Sequence, residues 1–160
     1  MHIEAKLREL GLELPAPLQL PVGVRLPFAA VRVCGDRAYI AGHGPQLADG
    51  ALAGPFGKVG AEVSLEEANA LARLTALSVL ASLQSALGDL DRVTAWLRVL
   101  GLVNVAPGFT QTPAVINGFS DLIIELYGAE AGIHARSAIG VAELPFNVPV
   151  EVEAEVAIVP

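Results

Sequence analysis

Between residues 64 and 105 the chain sets a long capped helix directly before a long strand that is apolar on both faces. Ser64 and Glu67 have capping-box spacing, in which each side chain satisfies an orphan amide at the helix start. Leu71, Leu74, Leu77, Leu80, Leu83 and Leu87 recur every three or four residues and draw one continuous apolar stripe. Gly88 stands where a left-handed stop is expected. In the strand, residues 92–105, Val93, Ala95, Leu97, Val99 and Val103 share one face by strict alternation. Thr94, Trp96, Arg98, Leu100, Leu102 and Asn104 share the other, which is also partly apolar. A strand covered on both sides sits in the middle of a sheet. A helix with one apolar stripe must bury it on such a layer.

The remaining elements fit around that pair. Residues 3–10 read as a short amphipathic helix stopped by Gly11, and residues 14–17 as an extended arm, because a residue before proline is pushed out of the helical region. Residues 28–33 and 37–41 are short strands joined by a hairpin turn at 34–36. Gly42-His43-Gly44-Pro45 breaks the second of them, and residues 49–60 form a glycine-containing loop. Thr112 is placed to cap a second helix with Pro113 at its first position; Ile116, Phe119, Ile123 and Leu126 form its inner face and Gly128 stops it. Two strands follow, at 135–141 and 150–158, and they can pair with each other. The order predicts an α+β fold with two helices on one face of a mixed sheet. Residues 1–25 are read as an N-terminal helix and arm, and residues 26–160 as the main domain.

Of the 160 residues 53% are apolar and only 17% charged, less charge than a monomer's surface calls for. A membrane or a subunit interface must take the excess. No run of about 18 uncharged apolar residues occurs, so a spanning helix is not expected and a homo-oligomer is. The net charge of −7 and ten scattered basic residues fit nucleic acid poorly. The single cysteine, Cys34, has no partner for an intrachain disulfide and reads as a small buried hydrophobe in a reducing compartment. With no apolar signal core at the N-terminus, the cytoplasm is the expected location.

Candidate chemistry is sparse. His2, His43 and His134 form no H-x-H or H-E-x-x-H pattern, so no metal site is expected. Ser137 and His134 lie three apart, which strand alternation places on opposite faces. There is no G-x-S-x-G, P-loop or dinucleotide fingerprint. What remains is Arg136, in His134-Ala135-Arg136-Ser137-Ala138, beside an apolar strand and near several carboxylates. Its planar fork of donors fits a carboxylate. Glu151, Glu153 and Glu155 share one strand face. Pairing of the last two strands brings Glu151 near Arg136. His43 lies in a glycine loop at a strand end.

These segments carry a resemblance. Gly42-His43-Gly44-Pro45, Val115-Ile116-Asn117, Ala135-Arg136-Ser137-Ala138, Val141-Ala142-Glu143-Leu144-Pro145 and Val150-Glu151-Val152-Glu153-Ala154 resemble the Rid family, also called the YjgF or L-PSP endoribonuclease family. The likeness runs over roughly residues 26–156. Gly57-Lys58-Val59-Gly60 and Ala106-Pro107-Gly108-Phe109 resemble a longer subgroup of unsettled role. The resemblance implies a chorismate-mutase-like fold assembled as a homotrimer, with sheets facing inward and ligand clefts between subunits. It implies hydrolysis of reactive enamines and imines, such as 2-aminoacrylate, to 2-keto acids and ammonia, with no cofactor. Arg136 matches the arginine that holds the substrate carboxylate, and Glu151 the glutamate near the attacking water. Gly42 matches a backbone contact in the cleft, and Asn117 a helix asparagine beside it.

The chain also departs from that pattern. Phe28 stands where deaminases carry tyrosine, Ala41 where they carry serine, Ala138 where they carry cysteine, and His43 where glutamine is frequent. Phe28, Ala41 and Ala138 thus remove three polar groups of the family cleft, His43 in part compensates, and a more apolar cleft is expected. Three functions follow: an enamine or imine deaminase, a non-catalytic binder or sensor of small carboxylates, and the endoribonuclease of the family's older name. The partner expected is a small carboxylate-bearing metabolite, with neither nucleic acid nor membrane.

Overall fold

Ser64 caps helix α2 (Leu65–Leu87) as its spacing predicts. Its Oγ accepts the Glu67 amide at 3.1 Å, and Glu67 Oε2 accepts the Ser64 amide at 2.8 Å. Gly88 ends the helix in the left-handed region, at φ 80°. The computed structural model describes residues 2–159. Around α2 lie α1 (His2–Glu9), β1 (Val31–Cys34), β2 (Arg37–His43), β3 (Val93–Asn104), α3 (Thr112–Gly132), β4 (Ala135–Val141) and β5 (Val150–Ile158). The five strands form one mixed sheet in the order β1-β2-β5-β3-β4, antiparallel except for the parallel β3–β4 pair. α2 and α3 cover one face of it. Gly118 of α3 lets those two helices meet, because a Cβ there would strike the Asn69 carbonyl of α2. α1 adds Ile3 and Leu7 to the core, and the Asp91 carboxylate receives its first amides, from His2 and, at 2.9 Å, Ile3.

Strict alternation fails in β3. The register against β5 shifts between Val93 and Ala95 and again between Trp96 and Arg98. Each extra residue reverses which face the next side chains take. Trp96 thereby turns to the helix side, fully buried, edge-on to Phe119 at 5.9 Å and Tyr127 at 5.8 Å.

Other expectations are corrected locally. Thr112 does not cap α3. Gln111 holds that place without a side-chain bond, and Thr112 Oγ1 instead donates to the Ala138 carbonyl at 2.9 Å, tying α3 to β4. Gly128 kinks α3 at φ 76° without ending it. β2 continues through His43, with an irregularity between Ile40 and His43. Cys34 is exposed at the end of an edge strand, not buried. The last two strands do not pair, because β3 lies between them. Among the described residues α2 alone is long and apolar enough to cross a membrane, and 56% of its most apolar window is buried inside the fold.

Lys58 acquires a structural partner set. Its Nζ donates to Asn104 Oδ1 at 2.9 Å and to the Ala142 carbonyl, with Glu143 Oε1 at 3.6 Å. Asn104, at the end of β3, is 0% exposed and its Nδ2 reaches toward the Gly57 and Val148 carbonyls. The Gly57-Lys58-Val59-Gly60 loop is thus pinned to one end of the sheet.

Candidate functional site

The register of the sheet fixes which way each predicted site residue faces. Arg136 on β4 lies across from Val99, which lies across from Ala154, and both of those are buried under the helices. The Arg136 side chain accordingly turns toward α3. Nη1 donates to Asn117 Oδ1 and Ser120 Oγ, each at 3.0 Å, and Nη2 to the Pro113 carbonyl at 3.3 Å. All three acceptors are neutral. Among the described residues no carboxylate makes an ion pair with this guanidinium. Its charge faces a shallow pocket of 230 Å³ shared with Asn117, Ser120, Asp121, Ile133 and His134.

Ser120 joins Arg136 to a histidine. Its Oγ lies 2.9 Å from His134 Nε2, and His134 Nδ1 lies 2.7 Å from the Gly132 carbonyl. A carbonyl only accepts, so Nδ1 carries the proton and Nε2 accepts the Ser120 hydroxyl. Ser120 then has its lone pairs free for Arg136. Burial first, and then the Arg136 charge, hold His134 below the ordinary imidazole value, which keeps the ring neutral in this role.

Glu151 faces the other way. It lies across from Leu102, and Leu102 across from Ile139, on the face away from the helices. Its half-buried carboxylate rests on Gly42, where a Cβ would collide with Oε1. Glycine is required there by that close approach. Burial, and secondarily Glu153, raise the Glu151 carboxyl above its ordinary value. A base shifted toward neutrality is better matched to proton transfer.

Phe28, Gly42 and His43 line a separate cleft of 620 Å³ between the N-terminal arm and α2. Phe28 is 58% exposed at its mouth. The His43 ring turns toward α2, with Nδ1 2.6 Å from the Ala41 carbonyl and Nε2 2.8 Å from Ser82 Oγ. Burial lowers its pKa. Ala138 packs its side chain against the core and gives its carbonyl to Thr112.

The predicted residues therefore form two groups. Arg136, Asn117 and Ala138 gather between β4 and α3; Phe28, Gly42, His43 and Glu151 gather around the end of β2. Arg136 and Glu151 lie on opposite sheet faces, two strand spacings or about 10 Å apart across the sheet. The expectation that pairing of the last two strands joins them within one chain is overturned by the interposed β3. Sequence reasoning missed Ser120 and Ser82. Ser120 follows Asn117 by three residues and shares its helix face. Ser78, Ser82 and Ser85 recur at helical spacing beside the leucine stripe, a visible row of small polar residues.

The profile of the family described as "YjgF/chorismate mutase-like, putative endoribonuclease" matches residues 4–154. Protein TCP17 of Trypanosoma cruzi is 39% identical over 153 residues, 96% of this chain and 92% of that protein. The crystal structure of Atu1372 from Agrobacterium tumefaciens, a protein of unknown function, is 36% identical and covers 98% of this chain and 92% of its own, with a TM-score of 0.85. E. coli TdcF, whose structure holds bound serine, shares the fold at a TM-score of 0.60 and 19% identity, over 92% of this chain and 96% of its own. With that profile over nearly all of its length, and with the mixed sheet and helices described above, the chain belongs to the YjgF/chorismate mutase-like family.

Proposed function

We propose that the chain binds a small carboxylate at Arg136 and hydrolyses a reactive enamine or imine to a 2-keto acid and ammonia, in a cleft completed by a neighbouring copy in a homotrimer. One observation carries this reading: Arg136 is held in place by three neutral acceptors while its charge stays uncompensated. Nε donates to no acceptor among the described residues, so the Nε–Nη2 edge keeps hydrogens for a bidentate carboxylate. Glu151, its carboxyl raised by burial, orients and deprotonates a water that adds to the imine carbon. The proton passes from Glu151 to nitrogen, and the carbinolamine collapses to the keto acid as ammonia leaves. Backbone beside Gly42 borders that water. Because Arg136 and Glu151 face opposite ways in one chain, the ligand bridges Arg136 of one copy and Glu151 of the next. The half-open sheet face bearing Tyr39, Leu100, Leu102 and Ile139 supplies apolar area for that contact. The lone unpaired Cys34 fits a reducing compartment, and we place the protein in the cytoplasm.

A second reading, binding without turnover, is favoured by Phe28, Ala41 and Ala138, which remove hydroxyl and thiol groups from the cleft. The endoribonuclease reading is disfavoured by the net charge of −7.

The test is ammonia release from 2-iminopropionate. Arg136→Ala is expected to lower kcat/KM about 100-fold or more; equal turnover by variant and parent rules the reading out. Glu151→Gln is expected to be comparably impaired. Co-assembly of equal amounts of the two variants should restore roughly a quarter of the parent rate, because random mixing rebuilds that share of composite clefts. Full loss in the mixture, with each variant still assembled by light scattering, contradicts a cleft shared between copies.

A further inference from the structure

The geometry points to a second chemistry in the cleft under the N-terminal arm: Ser82 and His43 form a nucleophile–base pair that hydrolyses small, uncharged, apolar esters through an acyl-serine. This goes beyond the imine reading and does not use Arg136. A serine in mid-helix ordinarily returns its hydroxyl to the carbonyl four residues back. Thr75 does so to Leu71 at 2.9 Å and Ser78 to Leu74 at 3.2 Å, both on α2. Ser82, one turn further on, instead meets His43 Nε2 at 2.8 Å. The direction of that bond is fixed from behind. His43 Nδ1 lies 2.6 Å from the Ala41 carbonyl and must donate, which leaves Nε2 as acceptor of the Ser82 hydroxyl hydrogen. Nucleophile, base and a group that orients the base are thus in order. Burial keeps the imidazole neutral at physiological pH, the state a base requires.

The surroundings select the substrate. Ser82 and His43 both line the 620 Å³ cleft, a volume within the ~300–1,000 Å³ of small-molecule sites. Leu14, Leu18, Leu26, Phe28 and Val31 give it apolar walls, and no Asp, Glu, Lys or Arg lines it. An anionic or cationic substrate finds no counter-charge there, whereas a neutral ester with a short apolar acyl chain brings no charge to desolvate. Gly44, next to His43 on the same wall, has a backbone N–H that donates to no backbone acceptor among the described residues and is available to developing negative charge. In the reaction, Ser82 Oγ adds to the ester carbonyl carbon as His43 Nε2 takes its proton. The tetrahedral adduct collapses with cleavage of the bond to the alcohol oxygen, which receives that proton. Water then adds to acyl-Ser82 with the same base, releasing the carboxylic acid and restoring the hydroxyl.

The test uses the full chain with p-nitrophenyl butyrate and an alkyl fluorophosphonate. The expected result is a burst of p-nitrophenolate followed by slower turnover, and one fluorophosphonate adduct mapped by mass spectrometry to the peptide containing Ser82. Ser82→Ala should lose both, yet release ammonia from 2-iminopropionate at the parent rate, so the two readings fail separately. His43→Gln keeps Ser82 in place and should acylate about 100-fold more slowly or worse, the range of a lost general base. Absence of the adduct from the parent, equal ester hydrolysis in Ser82→Ala, or unimpaired acylation in His43→Gln overturns the proposal.

Discussion

Arg136 owes its orientation to neighbours that leave its charge unspent. Asn117, Ser120 and the Pro113 carbonyl hold the guanidinium without neutralising it, and His134 holds Ser120 in turn. Removing the middle link tests the chain. On the proposed function, Ser120→Ala is expected to weaken binding of pyruvate about 5–13-fold, the effect of one net hydrogen bond of ~1–1.5 kcal/mol. The sole tryptophan, Trp96, lies 6.5 Å from the His134 ring, so its fluorescence reports the titration. An unchanged dissociation constant would show that Ser120 has no part in aiming the guanidinium. The two half-buried histidines use the same device, since each donates from Nδ1 to a carbonyl two residues earlier and accepts a helix serine at Nε2.

At the scale of elements, the loop holding Lys58 is fastened to the end of β3 by polar contacts. Lys58→Met is expected to cost about 1–3 kcal/mol, because the fully buried Asn104 Oδ1 loses its charged donor. Urea unfolding measures this, and a loss below a few tenths of a kcal/mol contradicts a structural role. α2 was legible in the sequence because every signal that makes it is local: its capping box, leucine stripe and Gly88 lie within one 25-residue stretch. β3 was legible as a strand and in the facing of Val93, Val99 and Val103, but not of Trp96, since two bulges against β5 reverse the alternation on either side of it and nothing in residues 92–105 announces them. The interior position of β3 was legible from its two apolar faces, but that its neighbours are β4 and β5 was hidden, because pairing is decided by packing of distant segments. Arg136 stood out by its own chemistry. Ser82 did not, because its contact with His43 joins residues 39 apart.

For the molecule as a whole, burial of His43 and His134 sets a pH dependence. Both pKa values lie below the ordinary 6.5, so the unfolded chain takes up protons more readily than the folded one. Their contribution to stability is therefore complete above pH 6.5 and is lost as pH falls through the two depressed values. Glu151 has the opposite sign. Its raised value favours folding below the ordinary 4.5 and opposes it as pH rises through the folded value. The expected result is a Tm nearly level above about pH 7 that declines on acidification. The double variant His43→Gln/His134→Gln should show a shallower decline by calorimetry. An identical slope in parent and variant would remove the histidines as its cause.

The opposite facing of Arg136, toward α3, and Glu151, away from the helices, has a kinetic corollary. On the proposed function, a solitary protomer grips the acid end of a metabolite or readies the hydrolytic water, but does not do both to one molecule. Rate per milligram is then expected to drop when the sample is thinned until subunits part, and to climb back on reconcentration. Activity strictly proportional to protein through that dissociation would mean that one chain is sufficient.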